Sequence, residues 1–195
     1  HAVKAGLPEK MVLACLLPLA AVAGCANAGP ATTIKTKQPG QLTIVAAFYP
    51  LQFVAQRVAG DRVTVTSLTQ PGAEPHDLEL TPRQVASLTT ANLVIYEKGF
   101  QPAVDEAVVQ SENPQVIETT TVVPLRPLAS PGDLDHGDGA EDDHAALDPH
   151  VWLDPTAVSR IARAVEQRLS TIDPDHAADY GRNAATLIEE LDDLD

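Results

Sequence analysis

Two histidines lie in turns that would hold them still. His150 sits in Asp148-Pro149-His150-Val151-Trp152-Leu153-Asp154-Pro155, with the chain's only tryptophan two residues on and an Asp-Pro pair on each side. Each proline biases the residue before it toward extended geometry, so a helix cannot run into this stretch from either end. The expectation is a rigid, partly buried turn that presents one imidazole at a fixed angle, as a metal ligand requires. A plainer reading is a histidine that hydrogen-bonds its own turn and a tryptophan that fills the core. A second turn of the same kind weighs against that: Gln70-Pro71-Gly72-Ala73-Glu74-Pro75-His76-Asp77 holds another histidine in a loop fixed by two prolines and a glycine. It follows an expected strand. Ligands of open α/β sheets bind beyond the carboxyl ends of strands, so His76 stands where a site is expected, although a solvent-facing loop histidine would read alike. His76-Asp77-Leu78-Glu79 also has the His and Glu of some zinc peptidases, but Leu80 stands where their second histidine would be, which weakens a catalytic reading.

A third group lies between these turns. Residues 133–144 carry six carboxylates (Asp133, Asp135, Asp138, Glu141, Asp142, Asp143) and two histidines, His136 and His144, with almost no apolar residues. Such a stretch is expected to be a mobile loop that attracts divalent cations loosely; its spacing fits no EF-hand, and a plain solvated acidic loop explains it equally well. The only cysteines, Cys15 and Cys25, fall in the N-terminal apolar segment, so neither a disulfide framework nor a Cys-rich zinc site is implied.

The elements that must position these residues read as α/β. Leu42–Phe48 is a short apolar run of the kind a buried parallel strand shows, closed by Tyr49-Pro50. Leu51, Val54, Ala55 and Val58 then recur at helical spacing and Gly60 supplies a stop. Arg62–Leu68 alternates as a second strand, and Thr81-Pro82 caps and opens a helix through Val85, Ala86 and Leu88. Asn92–Tyr96 is a third strand, Pro102–Val109 a helix, and Val116-Ile117 a fourth strand. Strands alternating with helices predict a parallel four-stranded sheet flanked by helices and joined by right-handed crossovers. After the tryptophan turn, Thr156–Leu169 is amphipathic with Val158, Ile161, Ala162, Val165 and Leu169 on one face. Another helix starts near Pro174 and carries Tyr180, Ala184, Leu187, Ile188 and Leu191 with no capping signal before Asp195. It reads as a truncated long helix whose apolar stripe would be left wet, with His176 a solvent-exposed helix residue.

At 195 residues and 44% hydrophobic the chain can bury a core. Thirteen Lys and Arg against 27 Asp and Glu leave a formal charge of -14, which argues against nucleic acid and suits a soluble or cation-attracting protein. Val12–Ala23 is too short for a comfortable membrane span but fits a signal-peptide core, with Lys4 and Lys10 as a weak positive flank, although the only methionine is Met11. It ends in Val22-Ala23-Gly24-Cys25, which resembles the lipobox of bacterial lipoproteins; residues 1–25 are then a signal peptide and Cys25 the lipidated mature N-terminus. Residues 26–41, rich in Ala, Thr, Pro, Gly and Lys, read as a flexible tether, and 42–173 as the folded lobe.

The lipobox, the Pro-Gly-Ala-Glu-Pro-His76-Asp turn, Asn92-Leu-Val-Ile-Tyr-Glu-Lys-Gly-Phe100, the acidic histidine-bearing loop and Asp148-Pro-His150-Val-Trp-Leu-Asp-Pro155 together resemble the metal-binding solute-binding lipoproteins of zinc and manganese ABC transporters. The resemblance runs from Leu42 to the end. It implies one lobe of a two-lobe binding protein anchored to the membrane by lipid, a divalent ion in the cleft delivered to an ABC permease, and His76 and His150 as the first lobe's ligands. It also implies that 174–195 begins the inter-lobe helix and that the other ligands lie on a second lobe. Zinc prefers imidazole, and two imidazoles alone leave half its shell to water. His136 and His144, as loop ligands, favour zinc over manganese. Two other readings compete. A zinc hydrolase would need a third ligand and a positioned base, and no such cluster stands out. An extracellular adhesion or scaffold lipoprotein would bind its partner regardless of either histidine.

Overall fold

The computed structural model describes residue 1, residues 41–127 and residues 147–194. The chain divides into two compact units, His1–Ile34 and Lys35–Asp195; of the first only His1 is among the described residues, and all that follows concerns the second. The signal peptide, Cys25, nearly all of the tether, and the acidic loop with His136 and His144 lie outside the described residues.

Four parallel strands stand in the order β2-β1-β3-β4: β1 Thr43–Ala46, β2 Thr64–Ser67, β3 Leu93–Tyr96 and β4 Val116–Glu118. The two most apolar runs, TIVA and LVIY, take the centre, where both faces of a strand are covered; every residue of β3 is buried. Register is set by Ile44 opposite both Val65 and Leu93, and Val94 opposite Val116. The strands are shorter than the apolar runs. Ala47 still donates its N–H to the Ile95 carbonyl at 2.9 Å, but Phe48 is already the cap of α1 (Tyr49–Ala59), and Gly60–Arg62 form a 3-10 turn before β2. Gly60 ends α1 at φ +64°, and an added Cβ there would meet Asn183 Nδ2 at 3.2 Å, so both backbone and space call for glycine.

Helix α2 (Pro82–Thr90) opens on a full capping box between Thr81 and Gln84. Helix α3 (Pro102–Ser111) follows β3, and a four-residue helix α4 (Thr119–Val122) follows β4. α2 packs on α3, whereas α1 packs on α5 (Pro155–Ile172) and α6 (Ala177–Asp192). Because the chain moves one way along the sheet from β1 to β2 and the other way afterwards, right-handed crossovers put these two groups on opposite faces. The expected α/β lobe is therefore the observed one. Asp154 caps α5, its Oδ1 accepting from the N–H groups of Thr156 (2.9 Å) and Ala157 (3.2 Å).

Two expectations are corrected. The stripe of the last helix is not wet: Tyr180, Ala184, Leu187 and Ile188 are buried, and Arg57–Glu190 (2.8 Å) and Arg62–Asp179 (3.1 Å) fasten α6 to the segment around α1. A 3.6-residue stripe says that a helix needs a partner, and here α1 and α5 supply it. His176 is not a free helix residue either. It ends the 3-10 turn Pro174–His176, and its ring Nδ1 lies 2.8 Å from Asp173 Oδ2, which also accepts from the Tyr180 hydroxyl at 2.6 Å. An antiparallel ribbon, β5 (Arg126–Pro127) with β6 (Leu147–Asp148), was not foreseen. Among the described residues no helix is long and apolar enough to cross a membrane.

Candidate metal centre

The strand order reverses between β1 and β3, the switch point beyond whose carboxyl ends open α/β sheets bind their ligands. Phe48 follows β1, Phe100 follows β3, and Trp152 belongs to the 3-10 turn Val151–Leu153. Their rings pack together: Phe48 lies 4.7 Å from Phe100 and 4.8 Å from Trp152, and Phe100 lies 5.1 Å from Trp152, centroid to centroid. This aromatic floor carries both candidate ligands. His76 stands 4.4 Å from Phe100, His150 stands 5.2 Å from Trp152, and the two imidazole centroids are 6.3 Å apart.

That spacing is within the range of one shared ion. With zinc–nitrogen bonds of about 2.0–2.1 Å, two imidazoles on one ion keep their centroids no more than about 6.5 Å apart, and about 5 Å at a tetrahedral angle. A small inward turn of the exposed rings closes the difference. Among the described residues no group of three or more His, Cys, Asp or Glu is placed to hold a metal, so the pair offers part of a coordination shell.

The two rings are held by different means. The Asp148 Oδ1 accepts from the His150 backbone N–H at 2.9 Å and lies 2.7 Å from the ring Nδ1. These hydrogen bonds keep the Asp148 carboxyl below the usual carboxylate range. A charged acceptor on Nδ1 fixes the tautomer that leaves Nε2 free for a ligand. Asp148 is fixed in turn by β6, paired with Arg126, whose guanidinium reaches the Asp154 cap of α5 at 2.7 Å. Among the described residues His76 has no such partner. Its backbone N–H donates to Glu74 Oε1 at 3.2 Å, and its ring rests on Phe100.

Beside this group, Glu97 leaves the end of β3 and is 1% exposed. Its Oε2 accepts from Thr119 Oγ1 at 3.4 Å, while Oε1 has no hydrogen-bond partner among the described residues. Burial, opposed by the Thr119 hydrogen bond and reinforced by the Asp148 charge, pushes its carboxyl up to about 7. The sequence reading gave roles to His76 and His150 and none to Asp148 or Glu97. An aspartate two residues before a histidine across a proline is a signal for Asp148, because a short acceptor there reaches back to its own turn. Nothing in Glu97-Lys98-Gly99 marks the glutamate as buried.

A parallel α/β lobe with two imidazoles near its switch point belongs to the class of binding lobes that meet their ligand at the carboxyl ends of the strands. Residues 44–195 match the family described as ZnuA, zinc-uptake complex component A periplasmic, and the chain belongs to that family. It is 32% identical over 196 residues to the zinc-binding lipoprotein AdcA of Streptococcus pneumoniae, which takes in 95% of this chain and 36% of that protein. It is 28% identical over 200 residues to the high-affinity zinc uptake system protein ZnuA of Bacillus subtilis, covering 95% of this chain and 58% of the other. The crystal structure of the Zn(II)-bound ZnuA-like domain of the S. pneumoniae AdcA matches with a TM-score of 0.64 at 30% identity, over 80% of this chain and 54% of that one. This chain thus spans 36% and 58% of the lengths of the two curated relatives.

Proposed function

We propose that this chain is the metal-capturing lobe of an extracytoplasmic solute-binding protein that takes up a divalent ion, zinc before manganese, and delivers it to an ABC importer. His76 and His150 are the ligands. The observation that carries the reading is the pair of imidazoles 6.3 Å apart, one of them held through Nδ1 by Asp148. Neutral imidazole suits zinc better than manganese, which prefers oxygen donors. In this reading residues 1–25 are a signal peptide ending at a lipidated Cys25, 26–41 a tether to the membrane surface, and 42–173 the lobe itself. Residues 174–195 start the helix toward a second lobe, which supplies the remaining donors. The loop histidines His136 and His144 collect cations for the cleft.

Calorimetric titration of the full chain with zinc, beside His76→Ala and His150→Ala, tests it. Each single variant is expected to bind zinc measurably but more weakly than wild type; undiminished binding in both would move the metal elsewhere, first to the 133–144 loop, and overturn the assignment. A finer expectation concerns Asp148→Asn, which keeps an acceptor near the ring but removes its charge. Zinc affinity should fall about tenfold, as for other carboxylates behind a ligating histidine. Unchanged affinity would mean that Asp148 serves only its turn.

A further inference from the structure

We propose that Gln101 is the positioning residue for His76, a role that rests on the metal-capture reading above. The two candidate ligands are unequally supported: Asp148 grips the His150 ring, whereas the His76 imidazole makes no hydrogen bond among the described residues. Something else must fix the height and tilt of that ring. Its loop, residues 70–77, is tied back toward the sheet by the side chain of Gln101. Gln101 is 1% exposed, and its Nε2 donates to the Pro75 carbonyl at 2.7 Å and to Thr69 Oγ1 at 3.0 Å. Thr69 Oγ1 in turn donates to the Ala47 carbonyl at the end of β1 at 2.9 Å. The Pro75 carbonyl belongs to the peptide that enters His76. A single amide therefore spans from the strand end to the residue before the ligand, and both of its N–H groups are used.

The neighbouring residue completes the arrangement. Phe100 supplies the ring on which His76 rests, so backbone and side chain of His76 are both set by the segment that leaves β3. That segment is shaped by its own contacts: Phe100 N–H donates to the Glu97 carbonyl at 3.3 Å, and Gly99, at φ +86°, donates to Asp105 Oδ2 at 2.9 Å. Gln101 also caps α3, where its carbonyl accepts from Val104 at 2.9 Å and Asp105 at 3.0 Å. A helix start is a rigid base for a side chain that must not move. A buried amide with two good acceptors is costly to replace by an apolar group, because the Pro75 carbonyl then loses the Gln101 donor and Thr69 Oγ1 keeps only its bond to Ala47.

The test is zinc affinity of the full chain by competition with a chromogenic chelator, with Gln101→Met made in wild type, in His76→Ala and in His150→Ala. Gln101→Met is expected to weaken binding about tenfold in wild type and again in the His150→Ala background. In the His76→Ala background it should change nothing, because no ring remains to be positioned. A merely structural Gln101 would lower affinity whichever histidine is left, so equal losses in both backgrounds, or no loss in wild type, overturn the proposal. Gln101→Glu keeps the shape, turns the donor into an acceptor and is read in the same way if the methionine variant does not fold. Should neither histidine variant alter zinc affinity, the metal-capture reading itself fails and this proposal with it. Loss in the histidine variants alone sinks only the role of Gln101.

Discussion

Phe100→Ala is expected to lower folding stability by about 3–5 kcal/mol, the range for emptying a buried aromatic site, and to weaken zinc binding with it. Phe100 is 4% exposed and touches the rings of Phe48, Trp152 and His76 at once, with centroids 4.7, 5.1 and 4.4 Å away. Truncation removes the middle of the floor. The neighbours come from separate elements, the end of β1, the turn at 151–153 and the 70–77 loop, so they cannot collapse into the gap without moving strand ends. The transfer and cavity costs therefore add. Urea unfolding measures the first effect: the midpoint should fall with an unchanged slope. Val109→Ala is the control, since Val109 on α3 is 76% exposed and its truncation should stay within about 0.5 kcal/mol. A loss below about 1 kcal/mol for Phe100→Ala would mean that the ring cluster is loosely packed and does not set the height of His76.

The two central strands were legible because burial on both faces leaves an unbroken apolar run, as in LVIY of β3. The histidine turns were legible because proline and glycine restrict the backbone by themselves, with no help from distant contacts. What escaped the sequence depends on pairings between residues far apart. The β5–β6 ribbon joins Arg126 to Asp148 through two residues a side, too short for any periodicity. Asp148 reads as half of an Asp-Pro turn until its carboxylate is seen against the His150 ring. The stripe of α6 announced a partner without naming it: α5 is its neighbour in the chain, but its docking on α1 uses contacts over more than a hundred residues, Asn183 Nδ2 to the Val58 carbonyl at 3.0 Å among them. Glu97 was hidden for a different reason. A glutamate in a Glu-Lys-Gly loop is assigned to solvent by default, and only its burial in the fold, with Thr119 against its carboxyl, makes that wrong.

That buried glutamate gives the second large effect. Glu97 has an ordinary value of 4.5 and is pushed up to about 7 in the fold, chiefly by burial. The folded state thus holds this proton more tightly than the unfolded chain does. Its contribution favours folding below about pH 4.5, declines as pH rises from there to about 7, and above that the fold carries a dry carboxylate at full cost. A wholly dry carboxylate with this shift would cost about 3 kcal/mol, and screening by the surrounding protein and solvent leaves about 1–3 kcal/mol. Glu97→Gln removes the ionisation and keeps an acceptor for Thr119. The variant's stability relative to wild type should therefore rise by about 1–3 kcal/mol between pH 5 and pH 8, whatever fixed cost its new amide N–H brings at both pH values. Urea denaturation at the two pH values measures the difference. The same relative stability at pH 5 and pH 8 would show that Glu97 is already ionised in the fold at pH 5. A rise would show that the end of β3 holds a carboxyl group near neutrality beside the Asp148 that orients His150.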